Sequence, residues 1–324
     1  MLLVSLAIAV GCGPITQAKP ALELNLPIGC KLGQDCFILL YADREPGPEA
    51  VDFGCGRMTY DGHKGTDFAI ASEQVMAQGV SVKAAAAGTV LRVRDGIADQ
   101  RIKDANQRAQ VEGTECGNGV VVNHGDGWET QYCHLRQGSV AVKPGDEVTA
   151  NSILGLVGTS GLASFPHVHL TVRHQGQVVD PFVGPTTKSG CQVQREPLWH
   201  QPLAYVPTGL IRAGFAPQPP QLDQLWAGDF AETILPTTSP ALVFWVQTYG
   251  VLTGDVEQIQ LIAPDGEIVA EQQQPLSTSQ KIWMSYVGKR GTNTSWTPGR
   301  WQGRYKLVRN NQVLVERQQT ILLE

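Results

Sequence analysis

The chain has 324 residues and carries 30 Asp and Glu against 25 Lys and Arg, a formal net charge of −5. That balance argues against electrostatic capture of nucleic acid or of anionic wall polymers, so recognition must be local. The length supplies material for two cores of ordinary domain size.

Residues 1–10 are almost wholly apolar, yet a bilayer span takes about 20 residues, so the stretch reads as the core of an export signal. Gly11-Cys12 follows Ala9-Val10 in the manner of a lipobox, although Ala9 stands where leucine is usual and no basic residue precedes the apolar run. Residues 1–15 are therefore expected to form a signal peptide with a lipobox, and membrane attachment is expected only through a lipid on Cys12. Setting Cys12 aside leaves Cys30, Cys36, Cys55, Cys116, Cys133 and Cys191, an even set that suits disulfides in an oxidising periplasm.

The first chemistry-bearing motif is His63-Lys-Gly-Thr-Asp67. Gly65 and the preceding Asp61-Gly62 disfavour a helix, so a tight loop is expected to bring the imidazole and the carboxylate together. The polar stretch 97–112 has fair helix propensity and little apolar face, which marks an exposed insertion or a lid or docking element at a groove edge. Val120-Val-Val122 and Glu129-Thr-Gln-Tyr132 flank Gly125-Asp-Gly127 as two strands of a hairpin. Such a hairpin brings Cys116 near Cys133 and locks the strand bearing His134. Six cysteines allow fifteen connectivities, so the sequence does not fix the rest, and Cys30 with Cys36 and Cys55 with Cys191 stand as guesses.

His167-Val-His169 opens a β-rich run, Leu170-Thr-Val172, and residues two apart on a strand project from one face. Both imidazoles therefore face one site, and spacing alone leaves open which of them would bind a metal. A His-x-His taken alone is a weak signal. Combined with His63, Asp67 and Tyr132-Cys-His134-Leu135, it reads as a zinc site with two imidazoles, one carboxylate and an open position, leaving two further histidines to move protons. No His-Glu-x-x-His is present, so an imidazole must replace the glutamate base of that metalloprotease class. His124, His174 and His200 lack such company and read as residues of the surface or of the site's surroundings.

From 197 to 220 the prolines at 197, 202, 207, 217, 219 and 220 mark a stiff, largely extended connector. Beyond it, β-like segments recur at 241–246, 258–262, 281–286, 303–308 and 312–315, separated by Pro-Asp-Gly, Pro-Gly and Asn-Asn turns. They suggest a small immunoglobulin-like β-sandwich. Trp245, Trp283, Trp296 and Trp301 could stack on sugar rings, but alternation along strands favours the core for most of them.

The ordered motifs resemble the lysostaphin or LytM type of zinc metallopeptidases, which cut peptidoglycan cross-link peptides. The likeness runs from Tyr60-Asp-Gly-His63-Lys-Gly-Thr-Asp67 through Val82-Lys-Ala-Ala-Ala-Ala-Gly88, Gly117-Asn-Gly-Val-Val-Val-Asn-His124 and Tyr132-Cys-His134-Leu135. It continues through Val142-Lys-Pro-Gly145, the glycine-rich Ile153-Leu-Gly-Leu-Val-Gly-Thr-Ser-Gly161 and Pro166-His-Val-His169 to Asp180-Pro-Phe182, about half the chain. The resemblance implies that His63, Asp67 and His169 hold one zinc ion and that His134 and His167 are the catalytic pair. It also implies peptidoglycan cross-link peptides as substrate and a mainly β fold, an antiparallel catalytic core at 16–196, followed by the connector 197–220 and the accessory sandwich at 221–324. The family often has an acid two positions after the last ligand; here Thr171 stands there, which puts in question what accepts the outer N–H of that imidazole. The competing function is that of relatives that have lost their ligands and activate other wall hydrolases through the same groove.

Overall fold

The computed structural model describes residues 22–186, 188–291 and 295–324; the expected signal segment and Cys12 lie outside them. The first unit contains β1 (Cys36–Leu40), β2 (Thr66–Ile70), α1 (Glu73–Gln78), β3 (Ser81–Lys83), β4 (Gly88–Arg94), α2 (Ala105–Gln110), β5 (Asn118–Gly125), β6 (Trp128–Leu135), β7 (Glu147–Val148), β8 (Ile153–Leu156), β9 (His167–His174) and β10 (Gln177–Val179). Eight of its strands form an antiparallel sheet in the order β1-β2-β9-β6-β5-β4-β7, with β10 beside β9. The expected hairpin is β5–β6, and the expected His-x-His strand is β9, at the sheet's centre between β2 and β6.

Alternation along β9 divides its two faces. Val168, Leu170 and Val172 are fully buried in the main core with Phe68, Tyr132 and Leu135. His167, His169, Thr171 and Arg173 project from the opposite face, as the two-residue period of a strand requires. Burying the apolar row fixes the register, because a one-residue slip would exchange the two sets.

The second unit comprises β11 (Gly209–Ala216), α3 (Leu222–Ala227), β12 (Ile234–Leu235), β13 (Ala241–Val251), β14 (Val256–Ile262), β15 (Ile268–Pro275), β16 (Gln280–Arg290), β17 (Gly299–Arg309) and β18 (Gln312–Leu323). A sheet ordered β11-β13-β16 faces one ordered β12-β18-β17-β14-β15, and Phe244, Val246, Ile259, Leu261, Trp301, Tyr305 and Leu307 from both fill the core between them. Of the four tryptophans, Trp245 and Trp301 are buried, while Trp283 and Trp296 are half-buried and donate their ring N–H groups to Glu257 and to the Ser239 carbonyl.

The proline-rich stretch is not extended connector throughout. It carries β11, which fits between Pro207 and Pro217, so no proline interrupts its ladder with β13. Its earlier part lies against the first unit: Leu198 and Trp199 are buried, and the Tyr205 hydroxyl donates to Asp52 at 3.0 Å. The two units also meet directly, through Phe37 stacked on Tyr249 and Phe165 on Trp226, and through buried Arg101, which Glu73 of its own unit holds at 3.0 Å and which pairs across with Asp223 at 2.7 Å.

Candidate metal and catalytic site

The loop before β2 delivers His63, and β2 itself delivers Asp67, so these two converge without a helix, as their glycine-rich context predicts. Gly65 is obligatory in that loop: a Cβ there would meet the Leu170 carbonyl oxygen at 2.4 Å and His169 Nε2 at 2.6 Å. Asp67 pairs in register with His169 on β9. The three side chains come together, with His63 Nε2 3.2 Å from Asp67 Oδ1 and 3.1 Å from His169 Nδ1, and His169 Nδ1 2.8 Å from Asp67 Oδ1. Among the described residues they form the group of donors able to hold a metal ion.

The outer nitrogens show which inner atoms carry lone pairs. The Tyr41 carbonyl lies 2.7 Å from His63 Nδ1 and accepts its proton, leaving Nε2 unprotonated in the neutral ring. His169 is turned the other way: Nε2 lies 2.9 Å from Thr171 Oγ1, and in the tautomer that donates to this hydroxyl Nδ1 faces the cluster bare. With the rings in these tautomers two imidazole lone pairs and a buried carboxylate oxygen point at one another, an arrangement that a cation would relieve; without one, a proton on either inward nitrogen bonds Asp67 instead. A tetrahedron with zinc–ligand distances near 2.1 Å has edges of about 3.4 Å, close to the spacing found, so the donors fit a zinc ion. Thr171 also answers the question its position raised, because its hydroxyl takes the place of the carboxylate as acceptor.

His134 and His167 border the same cluster. His134 lies near the end of β6, where its φ of 65° puts a non-glycine residue in the left-handed region at a cost of roughly 1–3 kcal/mol. Three contacts hold it: its N–H bonds the Cys116 carbonyl, its Nδ1 donates to the Ser160 carbonyl at 2.8 Å, and the Cys116–Cys133 disulfide closes alongside. The glycine-rich run permits this, since a Cβ on Gly161 would strike the Glu115 carbonyl and Gly117 nitrogen at 2.4 Å. His167 opens β9 and donates Nδ1–H to the Phe165 carbonyl at 2.8 Å. Both rings therefore turn Nε2 inward, 4.6 Å apart between centroids, with His167 Nε2 3.7 Å from Asp67.

Burial and charge set the protonation states. Burial raises the carboxyl pKa of Asp67, but the charges and hydrogen bonds of the surrounding histidines outweigh it and hold the group well below the usual range. Burial also lowers His63, yet the charge and hydrogen bond of Asp67 leave it above its ordinary value. Burial, reinforced by neighbouring imidazoles, holds His134 well below the ordinary value, and burial likewise depresses His167 and His169. The inward Nε2 atoms of His134 and His167 are thus neutral proton acceptors near pH 7.

All five residues expected at the site are brought together, and the disulfides pair Cys30 with Cys36, Cys55 with Cys191 and Cys116 with Cys133. His124, His174 and His200 stand elsewhere, on the Ala87 carbonyl and Thr130, on Trp128 and on Glu23. Sequence reasoning missed the carbonyls of Tyr41, Ser160 and Phe165 that orient the rings. Only Phe165, two positions before His167, carried a hint. An open groove of about 540 Å³ leads to the histidines, lined in part by Tyr60, Arg108, Gln131 and Arg173.

Residues 61–181 match Peptidase family M23. The DD-carboxypeptidase/endopeptidase Mpg of Neisseria meningitidis serogroup B is 38% identical over 65 residues, 20% of this chain and 14% of that protein. The peptidoglycan DD-endopeptidase ShyA of Vibrio cholerae is 36% identical over 64 residues, again 20% of this chain and 14% of the relative. The solved catalytic domain of lysostaphin from Staphylococcus simulans is 23% identical, with 43% of this chain and 85% of that one covered at a TM-score of 0.27. This chain spans only about a seventh of the length of these curated relatives. The matched segment begins just before His63 and ends just after Asp180, so the part of the chain that is similar to Peptidase family M23 encloses every residue of the cluster.

Proposed function

We propose that the protein is a zinc-dependent endopeptidase that hydrolyses peptide cross-links of bacterial peptidoglycan. The observation that carries this reading is the convergence of His63, Asp67 and His169 beside two neutral imidazoles whose Nε2 atoms face the same point. Zinc held by these three residues would supply Lewis-acid activation of water and of the scissile carbonyl.

The chain's own residues supply proton transfer. His134 and His167 have their Nδ1 protons committed to backbone carbonyls, so each can take a proton only at Nε2, where the reacting groups lie. Once protonated, the same nitrogen returns the proton to the amine released when the C–N bond breaks, or donates to the developing oxyanion. Asp67, 3.7 Å from His167 Nε2, favours that imidazolium. Three disulfides fit a compartment outside the reducing cytoplasm, in keeping with an envelope enzyme anchored through Cys12.

The test is release of soluble fragments from purified cell wall, followed by mass spectrometry of the fragments. Release should stop on chelation and return with zinc, and new termini should lie within the cross-link. A metal-loaded protein that releases nothing overturns the assignment in favour of a wall-binding regulator.

A further inference from the structure

The groove carries a charge pattern opposite to that of the whole chain. Lys64, Arg108 and Arg173 line it against Asp61 and Glu115, in a protein of net charge −5. The carboxylate of Glu115 is occupied by the Gly113 N–H at 2.9 Å.

The two arginines are placed by different means. Arg173 continues the His167, His169 and Thr171 face of β9, four residues beyond His169, or about 13 Å along the strand. It is half-buried, and its Nη1 donates to Gln131 Oε1 at 2.8 Å. Glu129, opposite it on β6, lies 3.9 Å from Arg92 and its charge also acts on Arg173, but among the described residues Arg173 forms no ion pair. Its guanidinium is thus oriented by a neutral amide, with donors still available. Arg108 comes from α2, within the stretch 97–112. That stretch is fastened at its base, where Asp99 accepts from Thr159 and Gln137, Ile102 N–H bonds the Ala163 carbonyl, and Arg101 is clamped by Glu73 and Asp223. Asp104 caps α2. The stretch is a braced wall, and it holds the Arg108 charge within electrostatic range of the Tyr60 hydroxyl. Arg108 also has no ion-pair partner among the described residues.

We propose that Arg108 and Arg173 are the specificity residues of this groove, together reading a free carboxylate on the peptide close to the scissile bond. The inference rests on the peptidase reading and adds the chemistry of the substrate. A guanidinium presents a planar fork that matches a carboxylate in two parallel hydrogen bonds, which its carboxamide cannot reproduce. Partial burial strengthens that discrimination at Arg173, because water competes less well there than at an open surface; Arg108 is exposed and supplies the second charge from the groove wall.

The experiment uses the zinc-loaded full chain and two synthetic peptide dimers that are identical except beside the scissile bond. One carries the second carboxyl of diaminopimelate free, and the other carries it as carboxamide. Cleavage is followed by chromatography and binding by calorimetry, for the wild type, R108Q and R173Q, with zinc content measured on each. The wild type should favour the carboxylate dimer by on the order of 10- to 100-fold in kcat/KM, the range expected for a charged hydrogen bond. In R108Q or R173Q that ratio should fall toward one at equal zinc content. Equal handling of both dimers by the wild type, or an unchanged ratio in both variants, overturns the proposal. Cleavage of neither dimer overturns the peptidase reading instead. In that case calorimetry decides, since a carboxylate preference lost in the variants upholds the arginine assignment and equal affinities overturn it.

Discussion

Each of the two β units buries a carboxylate, and the company kept by each differs in kind. Glu257 in the sandwich is met only by donors: Gln274 Nε2 and Ser285 Oγ reach Oε1, both at 3.2 Å, while Trp283 Nε1 at 3.0 Å and the Tyr305 hydroxyl at 3.5 Å reach Oε2. Asp67 in the first unit is met by imidazole nitrogens, which are bare when the ring protons sit toward the Tyr41 carbonyl and Thr171. One site is complete as folded. The other sets ring nitrogens against a carboxylate, and a cation would complete it. Buried polarity alone therefore says little about function, and the balance of donors to acceptors distinguishes a structural carboxylate from a metal-binding one.

The comparison breaks first at Asp67→Ala. Removing this oxygen should abolish stoichiometric zinc and reduce wall hydrolysis by more than about 10⁴-fold, the upper range for losing an essential group. Atomic emission on the purified variant, set against fragment release, checks both. A variant with full metal content would place the ion elsewhere. His134→Ala and His167→Ala should separate the two properties, with zinc retained and turnover lowered on the order of 10²- to 10⁴-fold. A zinc-free His134→Ala protein would contradict the division between holding the metal and moving protons.

Much of this site was legible because local rules converge on it. The His63 loop was marked by its glycines, the β5–β6 hairpin by its turn, and the shared face of His167 and His169 by strand alternation. Long-range acceptors were not legible. Nothing in the residue type of Tyr41 or Ser160 announces that its backbone carbonyl will meet an imidazole, because every residue has one and only the fold selects which is used. In the second unit β11 was concealed by prolines that bracket it, and β15 by its polar Ala-Glu-Gln-Gln-Gln run, which is tolerated where an edge strand pairs on one side only.

A donor set already satisfied within the protein predicts a different response in the sandwich. Glu257→Ala should leave zinc content and the activity of the folded fraction unchanged, while stranding the Trp283, Ser285 and Tyr305 donors in the core. The cost should be roughly 2–4 kcal/mol of stability, read from denaturant midpoints at constant slope. Activity lost in proportion beyond the unfolded fraction would mean that the two units are coupled through the Phe165–Trp226 contact, which ends at the His167 ring.

The smallest effect should come from the substitution that leaves every donor of the cluster in place. Thr171 is buried, and its hydroxyl accepts the outer N–H of His169 at 2.9 Å, so it fixes the ring with Nδ1 inward. Thr171→Val keeps the shape and removes the acceptor, which leaves a buried N–H unsatisfied and frees the ring to exchange tautomers. Loss of such an outer partner typically weakens metal affinity by about 10- to 100-fold, so the variant should bind zinc more weakly by that factor in a chelator competition. Thr171→Ser, which retains the oxygen, should stay near the wild type. If valine bound zinc as tightly as threonine, orientation of His169 would have to come from Asp67 alone, and the contrast with the fully matched Glu257 would narrow to the carboxylates themselves.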